Sequence, residues 1–178
     1  MNARLLFSLV VFLSAAAMPA FAHQPQAPLD LSRIRLADGH TARVFRLALE
    51  RSAIVRDFVA QIEAGQDLVY VRLSDIPDSL TGRMTLMGRG GGHRYLSVLV
   101  SRKLSPFDAI ATLAHELEHV LEVMADPEVE DAKSLAALYR RIGLENETGG
   151  KVSWDTAAAQ RVGHQVRREL ATSAHRVR

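Results

Sequence analysis

The chain has 178 residues, with 22 basic and 20 acidic side chains, a formal net charge of +2 at pH 7 and no cysteine. That length suits about one domain with its own hydrophobic core, and a multidomain assembly is not expected. Without cysteine there is no disulfide scaffold and no thiolate chemistry, so a bound metal has to be held by His, Asp or Glu. The pI near 9.3 comes from arginine, which supplies 19 of the 22 basic residues. No basic block or stacking aromatic motif accompanies it, and nucleic-acid binding is not expected.

Residues 1–22 read as an export signal. Arg4 supplies a positive start, residues 5–17 are apolar save for two serines, and Ala20-Phe21-Ala22 has the small-x-small pattern that precedes a cut. The apolar run, about thirteen residues, is shorter than the roughly eighteen to twenty needed to cross a bilayer, so no stable membrane insertion is expected after its removal. Periplasmic or extracellular location follows, and the signal has no lipobox cysteine. Residues 23–40 are polar and proline-bearing at their start and read as a flexible segment. His23 then begins the mature chain; its amine and ring suit copper, but it has no evident partner and reads as a plain mobile end.

Over residues 41–64, Val44, Leu47, Ala48, Val55, Phe58, Val59 and Ile62 recur at helical spacing, predicting one amphipathic helix that stops at Gly65. Residues 68–73, 83–87 and 94–101 read as strands of a small antiparallel sheet. The glycine run 88–92 lacks the Gly-Lys-Ser/Thr ending of a phosphate cradle and reads as a wide hairpin connection. Helices are predicted over 106–125, 131–142 and 155–172, with a loop at 143–153 and a short basic tail at 173–178. One α+β domain over residues 41–172 is the simplest assembly.

The residues that carry chemistry are His115-Glu116-Leu117-Glu118-His119, an H-E-x-x-H pattern. Ser105 is a candidate N-cap, Pro106 suits the first helical position, and Asp108 places its charge near the positive helix end. At about 100° per residue, Ile110, Leu113, Ala114, Leu117, Val120, Leu121 and Met124 form an apolar stripe, with His115 and His119 on roughly the opposite side. Two neutral imidazoles one turn apart, a third protein ligand and an open position for water make up a catalytic zinc site. Glu116, pointing elsewhere, suits the general base that takes a proton from water, and the implied chemistry is amide-bond hydrolysis. The plainer alternative is an exposed helix face that happens to carry His and Glu.

On this motif the chain resembles the zincin metallopeptidases, and among them the gluzincins, especially the small single-domain minigluzincin type. The resemblance spans residues 41–172 in element order: backing helix, small sheet, active-site helix, then a helix bearing an acidic ligand. It implies a zincin-like α+β fold, zinc as cofactor and a peptide or protein substrate. The metzincin extension is absent, since Glu122 and Ala125 stand where that signature needs Gly and His. Peptide deformylases need a cysteine ligand that this chain lacks.

Candidates for the third ligand are Asp155, Glu147, Glu145 and Glu122. Asp155 heads the stripe Ala158, Ala159, Val162, Val166 and Leu170, which puts its carboxylate on the inward side of the last helix; it or Ser153 also suits a helix cap. A gluzincin would have Glu here, and the shorter Asp demands a closer approach of that helix. Glu122 shares the helix of both His residues and suits support of an imidazole better than ligation. Glu145 and Glu147 fall in the predicted loop, where a solvated carboxylate is the ordinary state. Tyr139 and Tyr95 are candidate donors to a developing oxyanion, with core packing as the ordinary alternative. His164 is expected to face solvent, and His40, His93 and His175 are expected to be ordinary polar positions. By analogy with zincins, residues 94–101 are a candidate edge strand that aligns an extended peptide, or an interior strand. The reading is an exported zinc peptidase using His115, His119 and Asp155 for the metal and Glu116 for water. The alternative is a non-catalytic secreted metal-binding or interaction domain on the same scaffold.

Overall fold

The computed structural model describes residues 30–148 and 151–175; the expected export signal, His23 and the last three residues lie outside that part. Strand β1 (Ile34–Leu36) leads into helices α1 (Gly39–Arg51) and α2 (Ala53–Ala64), then strands β2 (Leu68–Ser74), β3 (Gly82–Gly90) and β4 (His93–Ser101). Helices α3 (Pro106–Met124) and α4 (Ala132–Ile142), a hairpin of β5 (Leu144–Thr148) and β6 (Lys151–Asp155), and helix α5 (Ala157–His175) follow. Among the described residues no helix is long and apolar enough to cross a membrane.

The class is α+β, but the main sheet is mixed, not antiparallel. Its order is β1-β2-β4-β3, with β1–β2 and β2–β4 parallel and β3–β4 antiparallel. Helices α1 and α2 form the long crossover that a parallel pair requires, and β3 hairpins onto the outer edge of β4, which turns β4 alongside β2. Register sets Val69 opposite Leu96, Val71 opposite Val98 and Leu73 opposite Val100. All six are buried, each contributing about 1.5–3 kcal/mol of transfer free energy. Helix α3 packs against β3 and β4, and α5 against α3.

Several boundaries differ from the sequence expectation. Residues 34–36, placed in a flexible segment, form β1, because the carboxylate of Glu63 accepts from the backbone N–H groups of Ser32, Arg33 and Ile34 at 2.7–3.1 Å and β2 pairs with the strand itself. The helix expected over 41–64 is two helices. Ser52 between them is extended at φ −123° and caps α2 through its side chain, which accepts from Val55 N–H, while its hydroxyl donates to Glu169 on α5 at 2.5 Å. The glycine run is a tight turn: Gly88 and Gly90 belong to β3, and the two turn residues Gly91 and Gly92 take positive φ, +58° and +83°, as a two-residue hairpin turn requires. Finally, the predicted loop at 143–153 holds the β5–β6 hairpin, whose polar Glu-Asn-Glu-Thr composition has little strand propensity to announce it.

The far end of α3 is tied to the sheet by one side chain. Arg94 Nη1 donates to the carbonyls of Val123 and Asp126, both at 2.8 Å, so it satisfies acceptors that a helix end leaves unpaired. Its Nε and Nη2 hold the buried carboxylate of Asp67 at 2.7–3.1 Å. Such a pair is worth little over a well-packed apolar substitute, but removing one partner strands the other charge. Arg94→Ala is therefore expected to lower stability by about 3–5 kcal/mol in urea denaturation; a loss under about 1 kcal/mol, the value of an exposed pair, would contradict this role.

Candidate metal centre

Helix α3 begins as its sequence indicates: the Ser105 side chain accepts from Asp108 N–H at 3.2 Å and Pro106 occupies the first turn. The face opposite the apolar stripe is not left open, however. Glu116 and His119 are each 5% exposed: α5 packs against α3, and β3 closes over Glu116 at Gly82. At Gly163 a Cβ would stand 3.7 Å from both His115 Cβ and the Ala111 carbonyl. Burial of these polar rings is tolerable because α5 and the residues before it supply partners for them.

Those partners converge on one point. His115 Nε2 lies 3.3 Å and His119 Nε2 3.7 Å from Asp155 Oδ1, and one ligand atom from each residue falls within 4.8 Å of the other two. A tetrahedral zinc with bonds of 2.0–2.2 Å separates its ligand atoms by about 3.4 Å, so both carboxylate-to-imidazole distances fit. The group can hold a metal ion. Its two outer members are the accessible ones, with the His115 and Asp155 side chains 23% and 24% exposed, so an open coordination position would lie on that edge.

Asp155 is the last residue of β6 and not the head of the final helix. Thr156 caps that helix in place of Asp155 or Ser153, accepting from Ala159 N–H at 3.1 Å. The Asp155 carboxylate is held on both sides, Oδ1 accepting from Thr156 N–H at 2.7 Å and Oδ2 from Gln160 Nε2 at 3.0 Å. Burial opposes its ionisation, yet the hydrogen bonds from His115 and Gln160, the charge of His115 and the Thr156 N–H bring its pKa down to about 2. The same balance works on His115: burial disfavours charge, while Asp155, Glu116 and the Ala159 carbonyl raise its pKa above the ordinary 6.5. Asp155 is thus an anion at neutral pH, as ligation needs.

The outer nitrogen of His119 is also fixed. Nδ1 and Glu122 Oε2 are 2.7 Å apart, and the other Glu122 oxygen accepts from Thr156 Oγ1 at 2.5 Å. With the proton on Nδ1, Nε2 turns its lone pair toward Asp155, which is how a carboxylate orients a metal-binding imidazole. Glu122 therefore sits behind His119, as expected from its place on the helix. Tyr139 closes the same side, its ring edge-on to His119 at a centroid distance of 5.5 Å. Burial, followed by the charges of Glu122 and Glu116, keeps that phenol protonated far above its usual range. Tyr139 is itself buried.

Glu116 stands outside the metal-capable group and turns toward β3. A Cβ on Gly82 would come within 2.5 Å of Glu116 Oε1 and 2.6 Å of Thr112 Cγ2, so only glycine leaves room for this carboxylate. Burial raises its pKa, partly offset by His119 and His115, and the Met84 N–H stabilises the anion. A carboxylate whose burial favours its protonated form has the character of a proton acceptor and donor in acid–base catalysis.

The remaining candidates are dispersed. Glu145 and Glu147 fall on β5 with side chains outside the described part, as is the side chain of His175. Tyr95 lies at the hairpin end, against Gly90. His93 Nδ1 contacts the Gln66 carbonyl at 2.6 Å, and His40 is exposed on α1. Residues 94–101 are interior, and the edge strand beside α3 is β3. Gly82, Thr156, Gln160 and Gly163 were not singled out from sequence. Thr156 before Ala157-Ala158-Ala159 was the most legible of them, as an N-cap residue ahead of strong helix formers.

The Glu122 contact has a direct consequence. Glu122→Gln is expected to weaken zinc binding about 10- to 100-fold in chelator competition, with an unchanged circular dichroism spectrum. An affinity equal to wild type would show that the carboxylate does not tune His119.

Comparison with protein-family models, curated proteins and solved structures finds no match.

Proposed function

We propose that this chain is an exported zinc peptidase of the zincin type, with His115, His119 and Asp155 holding the metal and Glu116 moving the proton. The observation that carries this reading is the convergence of one ligand atom each from His115, His119 and Asp155 within 4.8 Å beside a buried carboxylate with a raised pKa. The export part rests on residues 1–22 alone.

Zinc held by these residues supplies Lewis acidity, acidifying water and polarising the substrate carbonyl. The chain does the rest. Glu116, ionised, accepts a proton from the attacking water at a carboxylate oxygen and delivers it to the leaving amine, so it returns to its starting state each cycle. Its burial favours the protonated form relative to a solvated carboxylate, and the Met84 N–H opposes that from β3. Asp155, locked by Thr156 and Gln160, and His119, locked by Glu122, spend no reorganisation during the reaction. The outer edge of β3 offers main-chain groups to an extended peptide, the role considered for residues 94–101 from sequence.

Glu116→Gln keeps the size of the side chain and removes the base. It is expected to retain zinc while peptide hydrolysis falls about 10²- to 10⁴-fold, measured by mass spectrometry on a diverse peptide library. If zinc-loaded wild type cleaves nothing in that library, the non-catalytic metal-binding alternative replaces this reading.

A further inference from the structure

A cavity of about 210 Å3 opens directly beside His115. Its floor is the Gly163 backbone of α5, which brings no side chain into the space, and Thr81 and Thr112 lend hydroxyl-bearing walls. His164 and Arg167, one turn apart on α5, stand at its rim. No carboxylate is among the described residues that line it. Gln160, the residue that holds Asp155, lines it too, so the cavity adjoins the accessible edge of the metal centre.

Arg167 is free to act there. Among the described residues its charged partner is Asp108, with Nε to Oδ1 at 3.6 Å and both side chains about half exposed. That separation is too long for a hydrogen bond, and an exposed pair of this kind contributes little. Asp108 is meanwhile engaged by the Ser105 hydroxyl at 2.7 Å. The guanidinium fork, always charged and shaped for a carboxylate, thus keeps donors for a ligand. Drug-sized pockets run to about 300–1,000 Å3, so a cavity of this volume takes one substrate side chain or one chain end.

We infer that the cavity between Thr81, His115 and α5 is a specificity pocket for a carboxylate on the peptide substrate, read by Arg167 with His164 beside it. This rests on the peptidase reading above for its placement next to the scissile bond. The carboxylate has two sources, an acidic side chain or the free C-terminus. Arg167 is a specificity-determining residue and takes no part in proton transfer.

The test is binding, so it stands whether or not the protein cleaves. N-acetylated Ala-Ala-Glu and Ala-Ala-Gln, each with a free or amidated C-terminus, are titrated calorimetrically into zinc-loaded wild type, Arg167→Gln and Arg167→Lys. Wild type is expected to bind carboxylate-bearing peptides about 10- to 100-fold more tightly than the amidated Gln peptide. Arg167→Gln should lose that preference and Arg167→Lys should keep part of it. Preference tracking the amidated Glu peptide assigns the pocket to an acidic side chain, and preference tracking the free Gln peptide assigns it to the C-terminus. Equal binding of all four by wild type, or a preference that survives intact in Arg167→Gln because the metal alone captures the carboxylate, overturns the inference. Failure of the peptidase reading appears separately, as peptides that bind but are never cut.

Discussion

A pair of imidazoles one turn apart on a packed helix creates a demand that the surrounding structure has to meet. Each ring has two nitrogens, and a buried one without a partner costs free energy comparable to a lost hydrogen bond. Here Glu122 takes the Nδ1 of His119, while the Nε2 atoms of both rings turn toward a single oxygen of Asp155. Among the described residues Asp155 faces both rings, at 3.3 and 3.7 Å, distances that suit a shared ion better than two strong hydrogen bonds. That geometry is what lets the cluster hold a metal ion.

Much of the remaining architecture serves to bring Asp155 there. It sits at the end of β6, just before α5, and α5 packs against α3 with Gly163 presenting backbone to His115. Thr156 performs two tasks at the junction, capping α5 through Ala159 N–H and bonding Glu122, so the ligand before it and the orienting carboxylate across from it are held by one residue. The other end of α3 is pinned by Arg94 and Asp67. On the third side Gly82 clears space for Glu116. A helix held at so many points has little freedom to let His115 and His119 drift, and such rigidity is what a metal site would require of its support.

What the sequence made legible was local. The Ser105-Pro106 start of α3, the spacing of His115 and His119, and the position of Glu122 one turn along depend only on helix geometry and capping, and the structure has each of them as expected. Strand direction was not legible, because alternation in Val69, Val71 and Leu73 says which face is buried and nothing about which neighbour runs alongside. The break at Ser52 was hidden for a similar reason: its tie to Glu169 joins residues far apart in the chain, and a single serine in an amphipathic run looks tolerated. Asp155 was identified for its carboxylate and its place near the last helix, yet it sits on a strand, since Thr156 takes the cap. His164, expected to face solvent, is exposed but stands at the rim of a cavity, a position that helix periodicity cannot distinguish from open surface.

The central claim is that His115, His119 and Asp155 share one ion. X-ray absorption at the zinc edge, on protein loaded with one equivalent of zinc, reads that shell directly. The account predicts two imidazole nitrogens with oxygen ligands completing a four-coordinate set at about 2.0–2.2 Å, and one oxygen ligand fewer in Asp155→Ala. A spectrum with one imidazole or none, or one unaltered by Asp155→Ala, would contradict it.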